Sequence, residues 1–417
     1  LTTCAQILIY AIPFFLLLIG IEWIFSKSKS KQVFRTFDTV SSLSSGITNS
    51  VKDVLGLSII IISYTWLYNH LQVFSISQSC LLYVVAFIVL DFAGYWSHRF
   101  EHKINVLWNR HIIHHSSEEF NLACALRQPI SSIFALFTIL LLPAAILGVA
   151  PEVIATVAPL HLFAQFWYHT RLINKMGWLE HILVTPSHHR VHHAINDRYI
   201  DKNFSQVFIV WDKWFGTFQE ELDEEPPVYG VKIQLSTWNP ILINWKHFGQ
   251  LCLDAWHTRS FTDKIKIWFM PTGWRPKDVE KLYPIDTITN ARTLQKYSSH
   301  PSIIFRTWAT IQLIITLVMT LHFLTIIDQY PLVLLCAYGF FIILNIYAYT
   351  SLMDRNSVAF ISEILKYLTI TAVYWVSGSW YGVSLQIILL FNSLSLLFCF
   401  YFLYLEKDTD LPRFTSN

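Results

Sequence analysis

Charge is scarce in this chain. Only 14% of its 417 residues are Asp, Glu, Lys or Arg, against 53% hydrophobic and 16% aromatic residues, which excludes an ordinary soluble multidomain protein. The 30 basic and 28 acidic side chains leave a net charge of +2, too little for the electrostatic footprint of a nucleic-acid-binding protein. The six cysteines (Cys4, Cys80, Cys124, Cys252, Cys336 and Cys399) stand far apart with no C-x-x-C pair, so neither a disulfide framework nor a zinc ribbon is indicated. A Gly-rich dinucleotide fingerprint is also missing, which argues against a built-in flavin or nicotinamide domain.

What the chain has in quantity is apolar length. A spanning helix needs roughly 20 apolar residues, and residues 7–25, 54–71 and 81–96 qualify as the first three spans. The first is too long for a signal-peptide core and lacks a small-residue cleavage site, so it reads as a retained span. Three longer basic-free stretches follow: Arg127 to Arg171, Arg306 to Arg355 and Lys366 to Lys407. Each carries an internal turn signal, at 148–151, 328–331 and 378–382, so each reads as a hairpin of two spans. The expected fold is all-α: a polytopic membrane protein of about nine spans with a histidine-rich catalytic cap on the cytoplasmic side. Its parts are N-terminal spans over 1–80, a catalytic domain with its cap over 81–300, and a C-terminal helical bundle over 301–417. Alternate loops hold none of the 30 basic residues, which puts the N-terminus outside, the C-terminus and the cap in the cytoplasm. The membrane is the endoplasmic reticulum in a eukaryote and the inner membrane in a bacterium.

The cap, residues 171–300, is charge-balanced. Its acidic, proline-ended run at 220–227 reads as a solvated turn. The apolar and aromatic positions of 238–256 suit a helix lying in the membrane interface and one packing beside it equally well.

Histidine is the anomaly, at 17 residues. His98-x-x-x-His102, His111-x-x-His114-His115 and His189-x-x-His192-His193 place two or three imidazoles on one helix face each. With His169, all fall at one depth, close to the same ends of the third and fifth spans. Crowded imidazoles repel one another when protonated, whereas a metal accepts their neutral nitrogens directly. Nine ligands are too many for one ion; two ions with four or five imidazoles each fit the number. All-nitrogen ligation suits iron, zinc or copper, and a dizinc hydrolase is the physical alternative. A histidine-lined metal transporter would instead need ligands near the bilayer midplane, and the C-terminal spans read as poor in polar groups. His70, His161, His247, His257, His300 and His322 lack partners at ligand spacing and read as structural. His181 and His188 lie near the third cluster outside its repeat; His188 points away from His189 and suits a supporting role as well as ligation. Asp91, two helical turns before His98, is expected to hydrogen-bond a ligand histidine.

Three spaced boxes in this order resemble the fatty acid hydroxylase superfamily of histidine-box membrane oxygenases, which includes the sterol desaturases. The resemblance is carried by His98-Arg99-Phe100-Glu101-His102, Trp108-Asn109-Arg110-His111-Ile112-Ile113-His114-His115-Ser116, Thr185-Pro186-Ser187-His188-His189-Arg190-Val191-His192-His193 and Trp211-Asp212-Lys213-Trp214-Phe215-Gly216-Thr217-Phe218. Within it, Ser117-Glu118-Glu119-Phe120-Asn121, Ala125-Leu126-Arg127-Gln128, Val228-Tyr229-Gly230 and the extra C-terminal spans are similar to the alkylglycerol monooxygenase family; Met270-Pro271-Thr272-Gly273-Trp274 keeps that family's Gly-Pro-Gly-Trp segment only in part. The resemblance implies nine metal-ligating, catalytic histidines: His98, His102, His111, His114, His115, His169, His189, His192 and His193. Asp91, His188 and Asp212 are expected to support them. It further implies two iron ions, O2 as co-substrate, tetrahydrobiopterin as reductant, and a lipid substrate taken from the bilayer. The implied reaction hydroxylates the carbon beside an ether oxygen, and the hemiacetal formed falls apart to an aldehyde and glycerol. A sterol, fatty acyl chain or carotenoid is the alternative substrate.

Overall fold

The computed structural model describes residues 2–76, 79–135 and 137–406. Ten helices carry it: α1 (Thr2–Ser28), α2 (Thr36–Val54), α3 (Cys80–Lys103), α4 (Pro151–Phe163), α5 (Pro186–His192), α6 (Pro240–His257), α7 (Ile303–Thr325), α8 (Leu332–Met353), α9 (Val358–Ser377) and α10 (Leu385–Phe400). Among the described residues six of these, α1, α3 and α7 to α10, the last with its continuation to Leu405, are long and apolar enough to cross a membrane. The protein is thus a mostly helical, multi-pass membrane protein.

Three of the nine expected spans do not form helices of spanning length, and the sequence holds the reason. Residues 54–71 are broken by Gly56, at φ +67°, and by the β-branched run Ile59 to Ile62, which favours extended backbone. Only Tyr64–Leu71 returns to helix. Between Arg127 and Arg171, Pro129, Pro143, Pro151 and Gly148 interrupt the chain. The longest helix there, α4, has 13 residues and reaches about 20 Å, short of a bilayer core of about 30 Å. The two broken segments satisfy each other's backbone groups, the condition for irregular chain at membrane depth. Ile59 and Ile60 (β1) pair in parallel with Phe134 and Ala135 (β2). The Val73 and Phe74 N–H groups donate to the Ile146 carbonyl, both at 3.1 Å, and the Tyr64 hydroxyl donates to that of Val149 at 2.7 Å. At Gly148 a Cβ would stand 2.0 Å from the Phe74 carbonyl, so only glycine fits that crossing.

Two larger apolar cores result. The smaller packs Leu82 and Ala86 of α3 against Ala144, Val149 and the Val153, Ile154 and Val157 face of α4. The larger joins α1 and α2 to the C-terminal bundle through Ile19, Phe37, Ile47, Phe305, Leu313, Phe341 and Ile346. The bundle turns fall at the expected places, with Gly378 in the left-handed region closing α9. Its interior is less apolar than its hydropathy suggests. Lys366 and Glu363 form a fully buried ion pair at 2.7 Å, and Lys366 Nζ also donates to Asn345 Oδ1 at 2.8 Å. In the polar segment, α6 starts at an Asn239 cap and buries Ile243 against Ile112 and Ile113, while Trp256 stays exposed. The acidic run is more than a solvated turn, because Glu221 receives Arg190 of α5 in a two-pronged pair at 2.7 and 2.8 Å.

Helix α2 is the unusual element. Its residues Ser41, Ser42, Ser44, Ser45 and Thr48 are all buried, and the hydroxyls of Ser44, Ser45 and Thr48 donate to the carbonyls of Val40, Gln128 and Ser45. Its Asp38 pairs with Arg127 at 3.0 Å, both almost fully buried. Removing one partner of such a pair strands a charge out of water. Arg127→Met is therefore expected to destabilise the protein by about 3–5 kcal/mol, read as a lowered Tm in detergent. The double variant Arg127→Met/Asp38→Asn should recover much of the loss, and a double variant no better than the single one would refute the pair's role.

Candidate metal centre

The histidines are delivered by four short pieces of chain. His98 and His102 form the last turn of α3. His111, His114 and His115 lie on the helical turn Ile112–His115 and its first cap. His169 follows α4, and His189, His192 and His193 belong to α5 and its end. All nine converge on two adjoining groups: His98, His102, His111, His115 and His192 in one, and His114, His169, His189 and His193 in the other, with the candidate ligand atoms of each group within 4.8 Å of one another.

Each H-x-x-H-H word is divided between the two. Residues four apart lie on one side of a helix and the third member is turned away. His111 and His115 therefore enter the first group and His114 the second. In α5 the roles are exchanged: His189 and His193 enter the second group and His192 the first. The groups touch where the His115 and His193 rings stack, with centroids 4.2 Å apart.

The ring nitrogens face inward at metal-ligand spacing. Nε2 to Nε2 separations are 2.9 Å for His98 and His111, 3.2 Å for His102 and His115, 3.3 Å for His114 and His169, 2.8 Å for His169 and His189, and 3.0 Å for His189 and His193. Nitrogens about 2.1 Å from a common ion and at right angles stand about 3.0 Å apart. The buried Nε2 of His192 has no hydrogen-bond partner among the described residues, as a nitrogen reserved for a metal requires. Behind the rings, Nδ1 meets acceptors: His98 donates to the Phe204 carbonyl at 2.7 Å, His114 to Arg127 at 3.3 Å, His169 to Gln165 at 3.0 Å and His192 to Lys202 at 2.9 Å. Burial first, then neighbouring imidazoles, pushes His111, His115, His169, His189, His192 and His193 well below the usual histidine range, and burial takes His114 down to about 3. Neutral rings offer free lone pairs, the state metal binding needs. The residues fit a metal.

Around them, Asp212 acts on the backbone: it accepts the Phe204 and Ser205 N–H groups, both at 2.8 Å, and so fixes the carbonyl that holds His98. Asp91 does not reach a ligand histidine. It accepts from His161 Nε2 at 2.8 Å, the Trp211 indole at 2.8 Å, and the Val207 and Phe208 N–H groups at 2.9 and 3.0 Å. The last turn of α3 carries His98 past Asp91, and the nearer donors of the 207–211 segment take the carboxylate. His161, read as structural, is that partner. His188 stands outside both groups: it and Thr185 form the capping box of α5, its Nδ1 accepting the Thr185 N–H at 3.4 Å, and its ring rests on Phe218. His247 donates to the Asn105 carbonyl at 2.8 Å and His257 stacks on Tyr283.

Several supports were not visible in the motifs. Asp38, Ser42 and Ser116 hold the Arg127 guanidinium at 2.7 to 3.0 Å, and with it the carbonyl behind His114. Glu22 of α1 accepts from the Thr170 hydroxyl at 2.5 Å and the Leu122 N–H at 2.7 Å, pinning the residue after His169; a lone carboxylate in a spanning helix was the available signal. A cavity of about 470 Å³ ends on His98, His111, His114, His169 and His189, and its outer wall is Ile12, Phe15 and Leu16 of α1 with Leu43 and Ile47 of α2. An apolar wall leading to clustered nitrogen ligands suits a lipid chain. Because His188 caps a helix, His188→Ala is expected to keep its full metal load while costing about 1 kcal/mol of stability. Metal analysis showing a loss equal to that of His189→Ala would make His188 a ligand instead.

The fatty acid hydroxylase family model matches residues 83–217, which hold all nine histidines. Alkylglycerol monooxygenase of Homo sapiens is 35% identical over 370 residues, 87% of this chain and 81% of that protein. Its counterpart in Xenopus tropicalis is 36% identical over 267 residues, 64% of this chain and 59% of that protein. Ornithine lipid hydroxylase OlsE of Rhizobium tropici is 28% identical over 137 residues, 32% of this chain and 41% of that protein. No solved structure is a significant match. With the long human alignment, the fatty acid hydroxylase match and the histidine-rich centre together, the chain belongs to the alkylglycerol monooxygenase family of oxygen-dependent, lipid-hydroxylating membrane enzymes.

Proposed function

We propose that this chain cleaves alkylglycerols by hydroxylating the carbon beside the ether oxygen, at a centre of two iron ions. The observation that carries the reading is the pairing of a five-histidine and a four-histidine group beside a cavity that apolar residues of α1 and α2 wall on another side. His98, His102, His111, His115 and His192 hold one ion, and His114, His169, His189 and His193 the other. The ions supply O2 activation and the oxidising power to replace a C–H bond by C–O. The protein does the rest. Leu43 and Ile47 of α2 and Phe15 of α1 line the alkyl chain's path, and the buried histidine shell keeps bulk water from the reacting carbon. The product hemiacetal collapses to aldehyde and glycerol without further help. Tetrahydrobiopterin, implied by the family resemblance, is the proposed reductant. The asymmetry of basic residues supports a cytoplasmic position for the centre, in the endoplasmic reticulum of a eukaryote or the inner membrane of a bacterium.

The fatty acid hydroxylase match also suits a sterol, fatty acyl or carotenoid substrate at the same centre. Incubation with matched ether and non-ether lipids, with products read by mass spectrometry, separates the two: aldehyde formed from the ether alone, and only with O2, is expected. Purified protein should carry about two irons per chain. Stoichiometric zinc without iron, in protein that works without O2, would refute the oxygenase reading. His114→Ala, His115→Ala, His192→Ala and His193→Ala should each abolish turnover, because a vacated position admits water and changes the metal's geometry. His257→Ala and His300→Ala should retain near wild-type rates.

A further inference from the structure

Between the buried carboxylates Asp91 and Asp212 the chain is clamped on both sides of a single residue. Asp212 holds the N–H groups of Phe204 and Ser205, Asp91 those of Val207 and Phe208, and Gln206 lies between. Its side chain sits over Gly94 of α3, where a Cβ would stand 2.0 Å from Gln206 Oε1. A chain of hydrogen bonds orients the amide. His161 Nε2 donates to Asp91 at 2.8 Å, which leaves Nδ1 as an acceptor. Gln165 Nε2 lies within hydrogen-bond distance of that nitrogen and of the His161 carbonyl, both at 3.2 Å, and of Gln206 Oε1 at 3.4 Å. With its oxygen turned to Gln165, Gln206 directs its NH2 elsewhere, and that group has no hydrogen bond among the described residues. Gln206 lines the same cavity as His98, His114 and His169. These hydrogen bonds also reach the centre directly, since the Gln165 carbonyl holds His169 Nδ1.

An oriented amide donor without a partner, at the histidine end of a cavity whose outer wall is apolar, recognises an oxygen on an otherwise apolar molecule. We propose that Gln206 is a specificity-determining residue whose amide N–H hydrogen-bonds an ether or hydroxyl oxygen of the lipid, and so sets which carbon stands beside the histidines. The proposal rests on the reading of this cavity as the lipid site and deepens it. Gly94 belongs to the same device, because any side chain there displaces the amide and not the backbone.

The test is binding without O2, so that turnover plays no part. The metal-loaded protein in detergent is titrated with 1-O-hexadecylglycerol and with hexadecane, each displacing a fluorescent fatty probe. The wild-type protein is expected to favour the glycerol ether, and Gln206→Ala to lose about tenfold of that preference with hexadecane binding and metal content unchanged. Gly94→Ala should reproduce the loss and add nothing in the Gln206→Ala background, since both act on one amide. A preference kept by Gln206→Ala, additive losses, or loss of both lipids together with the metal would overturn the proposal. A wild-type protein that shows the preference yet cleaves no ether lipid supports this inference and refutes the reaction assigned above.

Discussion

An imidazole can offer a lone pair on one nitrogen only while its proton sits on the other, so a ring aimed at a metal needs a fixed acceptor at its back. For four of the nine histidines here that acceptor is a backbone carbonyl, and a carbonyl is only as steady as the loop that carries it. The Phe204 carbonyl is held because Asp212 takes the N–H groups of 204 and 205. The Arg127 carbonyl is held because Asp38 and its neighbours take the guanidinium. The aim of His98 and His114 thus depends on buried carboxylates that never approach the centre. The fold around the site is largely a means of keeping those carboxylates dry and paired.

The cavity follows from the same arrangement. One core joins α1 and α2 to the C-terminal bundle, and another packs α3 against α4. The histidines stand at the junction, where the last turn of α3 meets the loops that close it. The apolar wall comes from α1 and α2, and the polar and ligating wall from α3, the 165–169 segment and α5. A molecule with a hydrocarbon tail and one oxygenated end meets a matching surface at each end.

Eight of the nine clustered histidines stood out in the sequence by their spacing in three boxes, and His169 by its place near the end of the fifth expected span. The division of each H-x-x-H-H word between two groups was not legible there, since it depends on how the turn at 112–115 meets α5. Length and hydropathy found the four C-terminal helices, whose turns carry glycine and proline. They misread 54–71 and 128–170, where equal hydropathy hides extended backbone and proline breaks. Asp91 announced itself as a carboxylate in a spanning helix, yet its partners came from His161, Val207, Phe208 and Trp211, far along the chain and outside the three boxes. Gln165 and Gln206 carried no signal, because an amide in a loop has no periodicity and its meaning lies in what it faces. The polar helix α2 was passed over for the same reason that makes it unusual: a serine-rich stretch does not read as interior.

That helix bears on the order in which the protein can be made. Ser44 meets the Tyr349 hydroxyl at 2.5 Å, Phe37 packs edge-on against Phe305, and at Gly339 a Cβ would stand 2.7 Å from Leu55. Each partner is synthesised some 260 to 310 residues after α2 leaves the ribosome. A helix with so many hydroxyls gains little by facing lipid unaccompanied, so its burial depends on α7 and α8. The histidine boxes at 98–115 are complete long before these two helices, but the carbonyl behind His114 is steadied through Arg127 and Asp38 of α2. The C-terminal helices, which carry none of the nine clustered histidines, therefore bear on the site through α2.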